Sequence, residues 1–89
     1  MERKFEIGNL IISKSANNVL DTESFTNAVE RHSCGDWGNI SEDAKKGNEY
    51  ALKRGEQLFS SYRDVNGVKF YIITEADRSV TTILLPGDY

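Results

Sequence analysis

Much is scarce in this 89-residue chain, which has one cysteine, one histidine and no long apolar run. Each scarcity excludes something. Cys34 has no second cysteine to join within the chain, so the fold is not a disulfide scaffold and a reducing, cytoplasmic setting is expected. One histidine and one cysteine fall short of the two spaced ligand pairs of a structural zinc site, so neither metal nor other cofactor is expected. Leu10-Ile11-Ile12 is too short for a signal peptide, and no stretch approaches the ~20 apolar residues of a membrane span. No glycine-rich phosphate loop, repeat, linker or low-complexity segment occurs. Charge of one sign is missing as well. Fourteen acids against 11 bases leave a net charge of −3. That is not the basic footprint of a phosphate-neutralising protein, and it is too few carboxylates for a duplex mimic.

What is present suits one small globular domain. A chain this short buries only about 60–65% of its unfolded surface, and aromatics at 10% compensate for a modest apolar content. Homodimerisation through an edge strand or a helix face would enlarge so small a core.

The N-terminal alternation of Phe5, Ile7, Leu10 and Ile12 predicts a first strand, with a bulge or tight turn at Gly8. Ser13 to Asn18 is polar and reads as loop. Asp21 is a good N-cap for a helix over about Thr22 to His32, with Leu20 and Phe25 at hydrophobic-staple spacing. Phe25, Ala28, Val29 and His32 share one face of it. Ser41 caps a second helix, Glu42 to Arg54, that Gly55 ends. Acids in its first turn and bases in its last complement the helix dipole, and Glu49 and Lys53 make a favourable i,i+4 pair. Its inward stripe reads as Ala44, Gly47 or Asn48, and Ala51, with Gly47 permitting a close approach. Leu58 to Arg63, Lys69 to Thr74 and Val80 to Leu85 read as strands. Asn66-Gly67 gives the signal for a two-residue hairpin turn, and Pro86 stops the last strand. Phe70 and Ile72 alternate with Tyr71 and Ile73, so both faces of that strand are apolar, as in a central strand covered on both sides. The expected fold is α+β, in the order β-α-α-β-β-β, with two helices packed on an antiparallel sheet of about four strands.

Chemistry-bearing residues gather at two loops. His32, Cys34 and Asp36 could suggest a metal or a Cys-His nucleophile, but no further ligands or local catalytic signature accompany them. The plainer reading is a helix end where His32 meets the dipole and Cys34 packs. Trp37 lies between Gly35 and Gly38 on a sharply turned loop, either anchored in the core or presented as an aromatic contact for a partner. Glu75, Asp77 and Arg78 crowd one hairpin end. Acid–base work is conceivable there, yet Asp77 more simply closes the turn and Arg78 neutralises a carboxylate. Lys45, Lys46, Lys53 and Arg54 make the second helix partly basic, which fits a solvated face.

Three blocks resemble a known family: Arg31-His-Ser-Cys-Gly-Asp-Trp-Gly38, Gly55-Glu-Gln-Leu-Phe-Ser-Ser-Tyr62, and the segment from Phe70 through Ile73-Thr-Glu-Ala-Asp-Arg-Ser-Val-Thr-Thr82 to Tyr89. The chain is similar over most of its length to proteins of about 90 residues carried on bacterial plasmids, prophages and integrative elements. That resemblance implies context rather than catalysis, and it carries no catalytic residues. The expectation is a non-enzymatic accessory protein that inhibits a host protein or ribonucleoprotein defence complex, of anti-CRISPR or antirestriction type, by stoichiometric binding. Asp36, Trp37, Glu75, Asp77 and Arg78 are the expected contacts, because loops on a rigid scaffold carry recognition. The alternative is a nucleic-acid-binding regulator of plasmid or prophage maintenance, using the lysine-bearing helix.

Overall fold

A computed structural model describes residues 2–89. Strand β1 (Asn9–Ile12) is followed by helices α1 (Lys14–Val19), α2 (Thr22–Ser33) and α3 (Glu42–Arg54). Strands β2 (Leu58–Arg63), β3 (Lys69–Thr74) and β4 (Val80–Leu84) then lead to a 3-10 turn at Pro86–Asp88. The expected α+β class and element order hold. The sheet runs β1-β4-β3-β2, and it is mixed rather than antiparallel, because β1 lies parallel to β4. β1 forms the edge beside β4, and the chain passes through three helices before it enters β2 at the opposite edge.

The local chemistry explains most boundaries. Asp21 and Ser41 cap α2 and α3 by accepting the Ser24 and Ala44 amides, and Gly55 ends α3 in the left-handed region at φ 68°. The Ser13–Asn18 loop is in fact α1. Ser13 caps it, and the Ser13 and Ser15 hydroxyls donate to Asp88 at 2.7 and 2.6 Å, which ties its first turn to the end of the chain. Only Ala16 and Leu20 supply its apolar anchors. The first strand also starts later than expected. Gly8 precedes the strand in the left-handed region at φ 63°, and a Cβ there would lie 2.3 Å from the Ser79 carbonyl. Before it, Phe5 and Ile7 leave the sheet and cover the core.

The Asn66-Gly67 turn is wider than a two-residue hairpin. Arg63 pairs with Lys69, and the Asp64 amide donates to Val68 O, leaving Val65-Asn66-Gly67 as a three-residue loop with Gly67 at φ 82°. Asp64 makes that loop possible. Its carboxylate accepts the Asn66, Val68 and Asp21 amides at 2.9, 2.9 and 3.0 Å, which holds its pKa below the ordinary value. One side chain thus closes the hairpin and fastens the start of α2 to it.

Residues paired across strands share a face, so the register sorts the sheet's side chains. Leu58, Ser60, Tyr62, Phe70, Ile72, Thr74, Thr81 and Ile83 point to the helices and are buried. The core clusters on that side draw on all three helices. Phe59, Tyr71, Ile73, Thr82, Leu84 and Ile11 point the other way. The second face of β3 is therefore covered by neighbouring strand side chains and the chain end, not by helices.

The inward stripe of α3 is narrower than its small residues suggest. Asn48 and Ala51 are buried, while Ala44 and Gly47 are exposed. A Cβ on Gly47 would meet nothing within 4 Å, so no close approach explains that glycine. Asn48 clamps the sheet edge: its amide donates to Phe59 O at 2.7 Å and accepts from Phe59 N at 3.1 Å. Two residues on, Ser61 pairs with the segment Trp37–Asn39. The free edge of β2 is thereby closed.

Candidate functional site

His32 lies wholly inside. Its Nδ1 is 2.5 Å from Ser60 Oγ and its Nε2 is 2.9 Å from Thr74 Oγ1. Thr74 Oγ1 is in turn 2.8 Å from Thr81 Oγ1, which donates to the Ile7 carbonyl at 2.7 Å. That carbonyl can only accept, so it sets the direction of the whole chain. Thr81 spends its proton on Ile7, Thr74 must donate to Thr81, and the Nε2–H of His32 must donate to Thr74. Nδ1 is then the acceptor, and Ser60 donates to it. The ring is also packed edge-on by Phe5 and Trp37. Burial, with the Arg78 charge behind it, pushes the His32 pKa down to about 3. Both nitrogens are occupied, so His32 is a neutral core tie rather than a base. Cys34 sits beside the Ser33 hydroxyl, and Asp36 turns away to Arg31. Among the described residues no group of three His, Cys, Asp or Glu side chains could hold a metal.

Trp37 is anchored in the core and only 3% exposed. Its ring stacks on Phe5, and its indole N–H donates to Glu49 at 2.8 Å. Glu49 is therefore drawn to the loop, and its expected ion pair with Lys53 does not form. A Cβ at Gly38 would lie 2.1 Å from Ser61 O, so glycine lets this loop reach the sheet edge. Tyr62 O–H fixes the loop from beneath by donating to Asp36 O at 2.5 Å. An aromatic contact at this loop thus cannot come from Trp37. Asp36 does face solvent, held by the Arg31 guanidinium at 2.8 Å, which keeps its carboxyl below the usual range.

The Glu75-Asp77-Arg78 turn divides in the same way. Asp77 closes it by accepting the Ser79 amide and hydroxyl at 3.0 and 2.6 Å. Among the described residues Arg78 pairs with no carboxylate. Its guanidinium donates to the carbonyls of Ala51 and Glu56 at the end of α3, and to Glu75 and Ala76 in its own turn. It does so from a left-handed backbone at φ 63°, where glycine is usual. Arg78 also covers the Phe5 ring, 5.7 Å from its centroid, on which Trp37 stacks. The two loops are thus joined through Phe5, with Trp37 and Arg78 spent on the fold. Asp36, Glu75 and Asp77 remain at the surface.

Sequence reasoning passed over the face of the sheet away from the helices. Phe59 and Tyr71 meet there at 4.7 Å between ring centroids, and Tyr89 closes on both at 6.1 and 5.9 Å. Lys69 lies 5.6 Å from the Tyr71 centroid, and Arg63 pairs with Lys69 across the hairpin. Cations border the trio along the strands. The nearby Asp88 carboxylate is taken up by Ser13 and Ser15.

No protein-family model, curated protein or solved structure matches the chain.

The lysine-bearing helix is less free than its composition suggests. Lys45 lies 3.5 Å from Glu42, and Arg54 bonds Tyr50 Oη and pairs with Glu56. No helix is long and apolar enough to cross a membrane among the described residues.

Proposed function

We propose that this chain is a non-catalytic binding protein whose contact surface is the aromatic face of its sheet. Phe59, Tyr71 and Tyr89 form its centre, with Lys69 and Arg63 at its border. The observation that carries this reading is the aromatic trio itself. Three rings gather on the face away from the helices, and Tyr89 remains 71% exposed. Clustered aromatics with a bordering cation are the composition of binding hot spots. Non-catalytic action is supported by the uses already made of the reactive groups. His32 is sealed in a directed hydrogen-bond chain, and Arg78 is spent on backbone carbonyls.

The target class follows from the family resemblance. A host protein or ribonucleoprotein defence complex, of CRISPR or restriction type, is blocked by stoichiometric occlusion, in the cytoplasm and without a cofactor. Asp36, Glu75 and Asp77 supply secondary acidic contacts. Expression of the chain in a host with an active defence should raise uptake of a targeted plasmid in proportion to its dose. Unchanged uptake across restriction and CRISPR hosts sinks the inhibitor reading.

One observation favours a nucleic-acid-binding regulator: Lys69 and Arg63 adjoin stackable rings, as single-strand binders require. A gel shift that weakens steeply with salt would select it.

A further inference from the structure

The chain treats its two sheet edges differently. Along β2 every outward backbone group near the middle is occupied, by Asn48 at Phe59 and by Trp37–Asn39 at Ser61. Along β1 the inward groups serve β4: the Asn9 and Ser13 amides donate to Ser79 and Ile83 O, both at 2.9 Å. Alternation then turns the N–H and C=O of Leu10 and Ile12 outward, where β1 has no strand neighbour among the described residues. The usual edge protections are missing too. Asn9–Ile12 holds no lysine, proline or acid, and Leu10 and Ile11 are 48% and 49% exposed.

We propose that β1 pairs antiparallel with β1 of a second copy of this chain, across a twofold axis at Ile11. The strand is self-complementary in that register. A twofold normal to the sheet keeps both sets of helices on one side, so opposed residues must share a face. Ile11 then meets Ile11 on the aromatic side, and Leu10 meets Ile12 on the helix side. Leu10 and Ile12 are the residues with outward backbone groups, so each such pair exchanges its N–H and C=O bonds as a closely spaced antiparallel pair does. Shifting the strands by one residue would oppose side chains on different faces. No charge meets a like charge in the pairing. The dimer would continue the sheet and set two aromatic faces on the same side. This assignment uses a different edge from the aromatic trio, so it stands or falls separately from the proposed function.

Sedimentation of the 10.0 kDa chain over a dilution series tests it. The wild type should sediment as a dimer. Ile11→Lys and Ile11→Glu, each at an exposed site, should raise the dissociation constant about tenfold or more by opposing like charges. Their equimolar mixture should recover the dimer, since lysine then opposes glutamate. Should either variant fail to fold by circular dichroism, Leu10→Pro replaces it, because it removes an N–H the monomer does not use. A wild type that stays monomeric overturns the proposal. So do variants that dimerise as tightly as the wild type, or a mixture no tighter than its components.

Discussion

His32 is the residue on which the interior turns. Its ring donates through Nε2 and accepts through Nδ1, and a second proton would have nowhere to go without reversing Ser60. The folded pKa of about 3 lies below the unfolded value of 6.5, so the unfolded chain binds the extra proton first. Stability is complete above pH 6.5 and is lost as pH falls towards 3, by about 1.4 kcal/mol per unit. Urea titrations at pH 7 and near pH 5.5 should show the onset of that fall before the carboxylates protonate. The His32 ring signals in proton NMR should stay at their neutral positions over the same range. An imidazole titrating near its ordinary value would contradict the burial. Arg78 gives a second prediction. Arg78→Ala removes the guanidinium from four carbonyls while keeping a left-handed Cβ, and should cost about 2–3 kcal/mol in chemical denaturation. Arg78→Gly should cost about 1 kcal/mol less, because it relieves the backbone. Equal losses would show that the backbone conformation contributes nothing. The sequence could indicate that His32 sits on the buried face of α2. It could not reveal the tautomer, which depends on a threonine pair and a carbonyl from three distant segments.

At the scale of elements, caps were the legible feature. Asp21, Ser41 and Gly55 delimit α2 and α3 because capping is chemistry between residues a few positions apart. Helix α1 was not legible, since Ser13–Asn18 has little apolar periodicity and its first turn is stabilised by Asp88 from the far end of the chain. The parallel pairing of β1 and the third loop residue of the β2–β3 hairpin escaped for the same reason. The first depends on β4, and the second on Asp64, whose carboxylate takes the nearby Asn66 and Val68 amides together with the distant Asp21 amide. Gly47 was misread as a contact glycine. It is an exposed helix interior with open space around it, so Gly47→Ala should stabilise the protein by about 0.5–1 kcal/mol, raising its thermal midpoint. Destabilisation would mean that a neighbour occupies that space. Asn48→Ala should act oppositely, costing about 1–3 kcal/mol as the Phe59 backbone loses both partners.

For the whole molecule, the α+β class followed from hydrophobic periodicity, while the aromatic sheet face proposed as the contact surface did not. Trp37, Glu75, Asp77 and Arg78 drew attention because turns collect polar and aromatic residues, and the fold consumes Trp37 and Arg78 itself. Phe59 and Tyr71 looked like ordinary strand residues. Only the register places them together away from the helices, with the chain end bringing Tyr89 over both. Affinity capture from host lysate tests that surface most directly, with bound proteins and nucleic acids both identified. The wild type would be run beside Lys69→Glu/Tyr89→Ala and Lys46→Glu/Lys53→Glu, all at exposed positions. The expected result is a stoichiometric defence complex that the sheet-face variant loses, by about 2 kcal/mol or more in affinity, and that the α3 variant retains. Capture unaffected by the sheet-face variant, or abolished by the α3 variant, would contradict the aromatic face as the site of binding.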